Sequence, residues 1–164
     1  MPSVTSILPP RSPLFFLTTI IAFTADRLSK MWAIRSLSDG GMQLFPGFSF
    51  DLSFNTGISF SFFSSSSGYS HWALTLLVAC IVAALVIIWR FASTHTMLSH
   101  LAYGMIIGGA VGNFYDRIYF RGVIDFIHCS AGSFHWPTFN LADSFIVIGF
   151  CFLLIEAWHD TKSA

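Results

Sequence analysis

The sequence predicts an α-helical polytopic membrane protein with four transmembrane helices and a small β-hairpin. Two observations carry this prediction. Of the 164 residues, 54% are hydrophobic and only 10% are charged, whereas about a quarter of the residues in soluble domains are charged. Four apolar segments also have close to the roughly 20 helical residues that cross a bilayer core about 30 Å thick. These segments are residues 14–34, 72–91, 98–115 and 141–158.

The first apolar segment carries charges near its end. Asp26, Arg27 and Lys30 stand where a cleavable export signal would have small residues, so the segment is predicted to be an uncleaved transmembrane helix. Asp26 and Lys30 are four residues apart, a spacing that places opposite charges on one helix face. A structural ion pair is therefore predicted, and direct contact of the two residues with a substrate is the alternative.

The connection between the first two segments alternates between apolar and polar residues. Phe48, Phe50, Leu52 and Phe54 alternate with polar residues up to Asn55, Thr56-Gly57 interrupts the run, and 58–62 alternates again. This pattern predicts a β-hairpin with one aromatic face within residues 40–64. Such a hairpin can lie in the lipid headgroups, or it can form a cradle that grips an extended peptide or acyl chains.

The third apolar segment combines a glycine stripe with a polar end. Gly104, Gly108 and Gly112 recur every four residues, which lets a neighbouring helix approach closely. The stripe ends in Asn113-x-x-Asp116-Arg117, and the fourth segment begins with Asn140-x-x-Asp143. Since the third and fourth helices run antiparallel, the two Asn-x-x-Asp motifs are predicted to meet at one membrane edge.

Three acids at this edge are candidates for chemistry: Asp116, Asp125 and Asp143. Hydrolysis of a peptide by two carboxylates needs one ionised acid and one protonated acid. Apolar neighbours and a nearby carboxylate raise the pKa of an acid, and an arginine lowers it. The apolar residues around Asp125 favour a shared proton, whereas an ion pair with Arg117 is predicted to keep Asp116 ionised. This reasoning favours Asp125 and Asp143 and leaves Asp116 open.

Other classes of protein are less consistent with the sequence. A net charge of zero provides no field for nucleic acid. His128 and His135 with Asp125 could suggest zinc, but the chain has no His-Glu-x-x-His run, so interfacial histidines and no metal or other cofactor are expected. A proton-coupled transporter is the main alternative, and a structural membrane subunit is the second. The acids at one edge, rather than at the midplane, argue against a transporter.

The orientation in the membrane is not decided by charge. The two long connections, residues 35–71 and 116–140, lie on one side of the membrane. Lys and Arg are equally frequent on both sides. They are Arg11, Arg90 and Lys162 on the side of the termini, and Arg35, Arg117 and Arg121 on the other.

Five sequence blocks together resemble the lipoprotein signal peptidase (signal peptidase II) family, in family order and over nearly the whole chain. The blocks are Asp26-x-x-x-Lys30, Asn55-Thr56-Gly57 with the aromatic run after it, Gly108-Gly109-Ala110-x-Gly112-Asn113-x-x-Asp116-Arg117, Val123-Ile124-Asp125-Phe126 and Phe139-Asn140-Leu141-Ala142-Asp143. The resemblance implies a single peptidase domain over residues 1–164, with four transmembrane helices. It also implies an extracytoplasmic β-cradle, an extracytoplasmic loop over 116–140, and both termini in the cytoplasm.

The resemblance further implies an aspartyl endopeptidase of the bacterial cytoplasmic (inner) membrane, with Asp125 and Asp143 as the catalytic dyad near the extracytoplasmic face. Its substrates would be prolipoproteins with a diacylglyceryl-modified cysteine, cut just before that cysteine. Membrane lipid and globomycin-type inhibitors are the other expected partners. Eight residues would bind substrate or support the dyad: Asn55, Gly57, Gly108, Asn113, Asp116, Arg117, Asn140 and Ala142.

Overall fold

The computed structural model describes residues 13–57, 69–91 and 96–163. Within these ranges the chain forms long helices and an antiparallel sheet with the strand order β1-β2-β3-β4. The elements in chain order are α1 Pro13–Ser36, β1 Met42–Phe45, β2 Phe48–Asn55, α2 Tyr69–Phe91, α3 Met97–Phe120, β3 Val123–Ala131, β4 Phe134–His135 and α4 Leu141–Ser163.

The four helices begin close to the predicted positions, and two of them end later than predicted. The third helix was expected to end at 115 but continues to Phe120, and the fourth continues to Ser163. Asp116 and Arg117 are therefore helical. By length and composition, Trp72–Phe91 and Leu141–His159 are long and apolar enough to cross a membrane. The other two helices carry the buried ionisable residues and the glycine stripe, which make them less apolar.

The glycine stripe of α3 lies against another helix, as its spacing predicts, and the structure shows that this helix is α1. A Cβ atom added to Gly104 would lie 2.7 Å from the Cβ of Thr18, and one added to Gly108 would lie 2.8 Å from the Cβ of Ala22. Gly109, on another face of α3, meets the backbone of Ala142 in the same way. α3 consequently packs against α1, α2 and α4.

The predicted strand from Phe48 is present as β2, which has two partners within the described residues. β2 pairs with β1 across a turn at Pro46-Gly47, where Gly47 has a φ of 87°. On its other side it pairs with β3, with Ser53 opposite Asp125. The return strand predicted at 58–62 lies outside the described residues. The pairing predicted between β2 and that strand therefore stays a prediction.

The segment 116–140, expected as a loop, contains the strand β3. Residues 123–126 are all buried, so this part of β3 does not alternate between apolar and polar residues. A short apolar run of this kind cannot be assigned to a strand by periodicity alone. Since successive side chains of a strand point to opposite faces, Phe126 packs on Ala33 of α1 and on Leu37 just after it. Asp125 points the other way, towards the start of α4.

Candidate active site

The two Asn-x-x-Asp motifs meet, as the antiparallel arrangement of α3 and α4 predicts. Asn113 Nδ2 donates a hydrogen bond of 2.8 Å to Asp143 Oδ1. Asn140 Nδ2 donates to Asn113 Oδ1 at 3.2 Å. The end of α3 and the start of α4 are thus joined by side-chain amides, and Asn113 and Asn140 are both buried.

Asn140 also connects the two acids at the centre of the site. Its Nδ2 donates a 2.6 Å hydrogen bond to Asp125 Oδ1. Its Oδ1 accepts from the backbone N–H of Asp143 at 3.0 Å, and its own N–H donates to Asp143 Oδ2 at 3.3 Å. These reciprocal bonds form a capping box at the start of α4. Asp143 therefore lies in the first helical turn, where the helix dipole favours negative charge.

The pKa of Asp125 is raised from its ordinary value of 3.8 to about 6, chiefly by burial and next by the neighbouring carboxylate of Asp143. Hydrogen bonds from Asn55 and Asn140 and the charge of Lys30 oppose this rise. Asn55 lies at the end of β2, and its Oδ1 accepts from the N–H of Gly57 at 3.0 Å. Gly57, with a φ of 81°, permits this tight turn.

A buried ionic cluster lies next to the two acids. Lys30 is fully buried, and its Nζ is 2.9 Å from Asp26 Oδ2, 2.8 Å from Asp116 Oδ2 and 2.8 Å from Asn113 Oδ1. The predicted ion pair between Asp26 and Lys30 is therefore present. Asp26 Oδ1 also accepts from the N–H of Ala142 at 3.1 Å, so the cluster joins α1, α3 and α4.

The predicted ion pair between Asp116 and Arg117 is wrong. Asp116 is paired with Arg27 and Lys30 of α1 and accepts from the N–H of Ile124 at 3.2 Å. Arg117 donates instead to the carbonyl oxygen of Asn113 at 3.1 Å. Adjacent helical residues point about 100° apart, so Asp116 and Arg117 face different neighbours. Among the nearby acids, Arg117 interacts electrostatically most strongly with Asp143.

Arg27 is the site residue that the sequence analysis missed. It pairs with Asp116, and its guanidinium lies 4.5 Å from the centre of the Tyr115 ring. The available signal was its position inside an apolar segment next to Asp26, because a charge in such a segment needs a partner. The sequence alone did not show which acid that partner would be.

Three other predicted residues are placed away from the carboxylates or contribute only their backbone. The missing side chain of Gly108 makes room for the Thr19 carbonyl and for Ala22 of α1. Ala142 is fully buried between Asp26 and Gly109. Gly108 and Ala142 therefore set helix spacing, and Gly57 shapes the turn that holds Asn55.

The two histidines considered as zinc ligands contact each other. His128 Nε2 and His135 Nδ1 are 3.1 Å apart across β3 and β4. Over residues 13–57, 69–91 and 96–163, His, Cys, Asp and Glu side chains form no group of three or more that could hold a metal ion. The histidines therefore do not combine with Asp125 in the arrangement that the zinc alternative requires.

Each of the two acids borders a cavity, and residues of the segment 136–139 line both cavities. A polar cavity of about 470 Å³ is lined by Asp125, by Ser53 to Thr56 and by Pro137 and Thr138. A mainly apolar cavity of about 380 Å³ is lined by Trp136, Phe139, Asp143, Ser144, Val147 and Ile148. Asp125 therefore faces a polar cavity, and Asp143 faces a mainly apolar one.

The chain shares its fold with two solved structures that are described as bacterial membrane enzymes. One solved structure, described as a bacterial membrane enzyme at 2.3 Å resolution, has a TM-score of 0.74 at 22% identity and covers 91% of this chain and 90% of its own. A second, at 1.9 Å resolution, has a TM-score of 0.74 at 23% identity, with 87% and 91% covered.

Sequence comparisons identify the family. The sequence model of the family described as signal peptidase (SPase) II matches residues 18–159. The lipoprotein signal peptidase of Dichelobacter nodosus is 40% identical over 88% of this chain and 94% of its own. That of Serratia proteamaculans is 36% identical over 85% and 83%, respectively. The chain belongs to the signal peptidase II family, whose members cleave signal peptides from prolipoproteins, and the transporter alternative is not supported.

Proposed function

We propose that this chain is an aspartic endopeptidase that removes signal peptides from diacylglyceryl-modified prolipoproteins by cutting just before the lipidated cysteine. The observation that carries the proposal is the position of Asn140. Its side chain bonds to Asp125 and to the backbone N–H of Asp143, so it holds two acids from separate elements at one place. Family membership supports the prolipoprotein as substrate.

The proposed reaction uses the pair as one acid and one base. The ionised carboxylate takes a proton from a water molecule, whose oxygen attacks the scissile carbonyl carbon, while the protonated carboxyl donates its proton to the carbonyl oxygen. The resulting gem-diol collapses as the C–N bond breaks. The proton that the base took passes to the amine, and a proton from the gem-diol returns to the other acid. A carboxyl group and an amine are released, and the pair again holds one proton.

Four residues are proposed to support the pair. Asn140 and Asn113 donate to its carboxylates. Asn55 bonds to Asp125 from the end of β2, and Arg117 lies in the field of Asp143. The polar cavity next to Asn55 has room for an extended peptide beside β2, which fits the role of a cradle. Globomycin-type inhibitors are expected to occupy the same place.

The distribution of polar groups supports four transmembrane helices. In α1, Asp26 and Lys30 are fully buried, whereas Leu17, Ile20 and Leu28 are 55%, 62% and 61% exposed. Charged groups inside and apolar groups outside suit a lipid environment. We infer that α1 and α3 also span the bacterial cytoplasmic (inner) membrane, with both termini in the cytoplasm and the acid pair near the extracytoplasmic face.

The test is cleavage of a diacylated preprotein by purified protein in detergent, beside the same preprotein without lipid. Asp125→Asn and Asp143→Asn are expected to abolish cleavage because each removes one member of the pair. Asp39→Asn, at an exposed position after α1, is the matched control and should cleave normally. Normal cleavage by either variant of the pair would reject the aspartic mechanism. Equal cleavage of both preproteins would reject the requirement for lipid.

A further inference from the structure

The orientation of the Asn113 side chain is dictated by Lys30. A lysine ammonium group has only donors, so the amide atom 2.8 Å from Lys30 Nζ must be the oxygen of Asn113. The Nδ2 group then necessarily faces Asp143 Oδ1, 2.8 Å away. Asn140 Nδ2 also points to the oxygen of Asn113. A buried cation on α1 thereby determines what Asp143 on α4 faces.

Asp143 consequently meets donors at both of its oxygens. Oδ1 accepts from Asn113, and Oδ2 accepts from the backbone N–H of Asn140 at 3.3 Å. Asp143 also lies in the first turn of α4 and interacts with the charge of Arg117. Hydrogen bonds to a carboxylate, a nearby cation and a helix N-terminus all favour the ionised form. Asp125, only 2% exposed, is in the environment that better retains a proton.

We propose that Lys30 is a positioning residue which, through Asn113, holds Asp143 as the ionised base and leaves the shared proton on Asp125. The inference deepens the proposed function and rests on it for the catalytic roles. In the reaction above, Asp143 then takes the proton from water and Asp125 donates to the carbonyl oxygen.

The charged groups around this connection come from three elements. On α1, Asp26 forms an ion pair with Lys30, and Arg27 forms an ion pair with Asp116. On α3, Asp116 contacts Lys30, and Arg117 bonds to the carbonyl of Asn113. Asp125 is on β3, where the nearest histidine along the strand, His128, is bonded to His135. Lys30 is thus a cation that contacts the side chain of Asn113 directly. The other charges of the cluster determine its net charge.

The chain provides a selective spectroscopic test, because its three asparagines are Asn55, Asn113 and Asn140, all at this site. With ¹⁵N-asparagine labelling in detergent, the three side-chain amides can be followed without substrate, and Asn113→Leu assigns one of them. Slow exchange of the Asn113 amide protons with water is expected in the wild-type protein, because this buried amide is bonded at both ends.

The decisive variant is Asp26→Leu/Lys30→Met, which removes one buried charge of each sign and the donor to Asn113. Asp26→Leu/Arg27→Met is its matched control, because it makes the same change in charge but keeps Lys30 against Asp116 and Asn113. In the decisive variant we expect at least about tenfold faster exchange of the Asn113 amide and a kcat lower by up to about 100-fold at unchanged KM. The acidic limb of the pH profile should move to higher pH. The control should keep the slow amide exchange of Asn113 and the wild-type position of the acidic limb, because Lys30 still contacts Asn113.

Equal amide exchange, kcat and pH profile in the two double variants would overturn the proposal. If the decisive variant does not fold, Asn113→Leu is used in its place, because this substitution breaks the connection between Lys30 and Asp143 and leaves the ionic cluster intact. An unchanged kcat and an unchanged acidic limb in Asn113→Leu would overturn the proposal. A wild-type protein that cleaves nothing would reject the proposed function instead. The amide exchange of the double variants would then still decide whether Lys30 orients Asn113.

Discussion

Replacement of Asp116 by asparagine separates a structural acid from a catalytic one. In the wild-type cluster, Arg27 and Lys30 are balanced by Asp26 and Asp116, and both acids and Lys30 have fully buried side chains. Asp116→Asn leaves two cations with one carboxylate. Removal of one partner from a buried ion pair costs about 3–5 kcal/mol of unfolding free energy. Since the side chain of Arg27 is 13% exposed and can turn towards solvent, a loss of about 3 kcal/mol is expected.

The assay measures both unfolding by denaturant in detergent and turnover per folded molecule. Asp116→Asn should keep turnover within about tenfold of the wild type, because the acid pair retains its hydrogen bonds. Asp116→Asn/Arg27→Met restores the balance of charge and should recover about 1–2 kcal/mol of the lost stability. Wild-type stability of Asp116→Asn would refute the ionic argument. A folded Asp116→Asn protein without turnover would place Asp116 in the catalytic set.

Four further predictions concern the pH dependence of activity, the pH dependence of stability, metal and helix packing. Because Asp125 loses its proton above a pKa of about 6, kcat/KM should fall as the pH rises through about 6, and a flat profile from about pH 5 to 8 would contradict this. The folded protein binds this proton more tightly than the unfolded chain, so wild-type stability should fall relative to that of Asp125→Asn between about pH 4 and 6. A chelator should leave cleavage unchanged, and a loss restored by zinc would reject metal independence. Gly108→Ala should destabilise the protein by about 1–3 kcal/mol, measured by denaturant unfolding, because the new Cβ would lie 2.6 Å from the Thr19 carbonyl oxygen.

The opposite result for Gly108→Ala and a control variant for the metal test make these outcomes specific. Alanine in a helix is otherwise favoured over glycine by about 1 kcal/mol, so a stabilising effect of Gly108→Ala would show that α1 and α3 do not approach closely. His128→Ala/His135→Ala removes the contacting pair on β3 and β4. It should cleave normally in the presence and absence of chelator.

The sequence predicts those parts of the structure that depend on local spacing. The glycine stripe, the pair four residues apart in α1 and the two Asn-x-x-Asp motifs each follow from helical periodicity, and the structure confirms their contacts. The antiparallel order of α3 and α4 is sufficient to bring Asn113 next to Asp143. The ion pair needs only one helix, and the contact between the two motifs needs two helices that are adjacent in sequence. For the glycine stripe, the spacing predicts a close helix neighbour but not that this neighbour is α1.

Partners from distant segments could not be predicted in the same way. Asp116 pairs with Arg27, 89 residues away in the chain, although Arg117 is its neighbour in sequence. The strand β3 escaped prediction because its buried residues include both faces, and its pairing with β2 joins segments on either side of α2 and α3. In both cases the partner is chosen by tertiary packing, which local periodicity does not encode.

The buried ionic cluster explains how acids from separate elements come to lie together. Asp26 bonds to the backbone of α4, Lys30 and Arg27 hold Asp116 of α3, and Asp116 accepts from the first residues of β3. The cluster therefore fixes the start of α4 and the start of β3 relative to α1, and these are the elements that carry Asp143 and Asp125. A buried charge without a partner costs several kcal/mol of stability, so these charges are tolerated only when the helices pack together. The assembly of the acid pair is thus coupled to the folding of the helices that contain the charges.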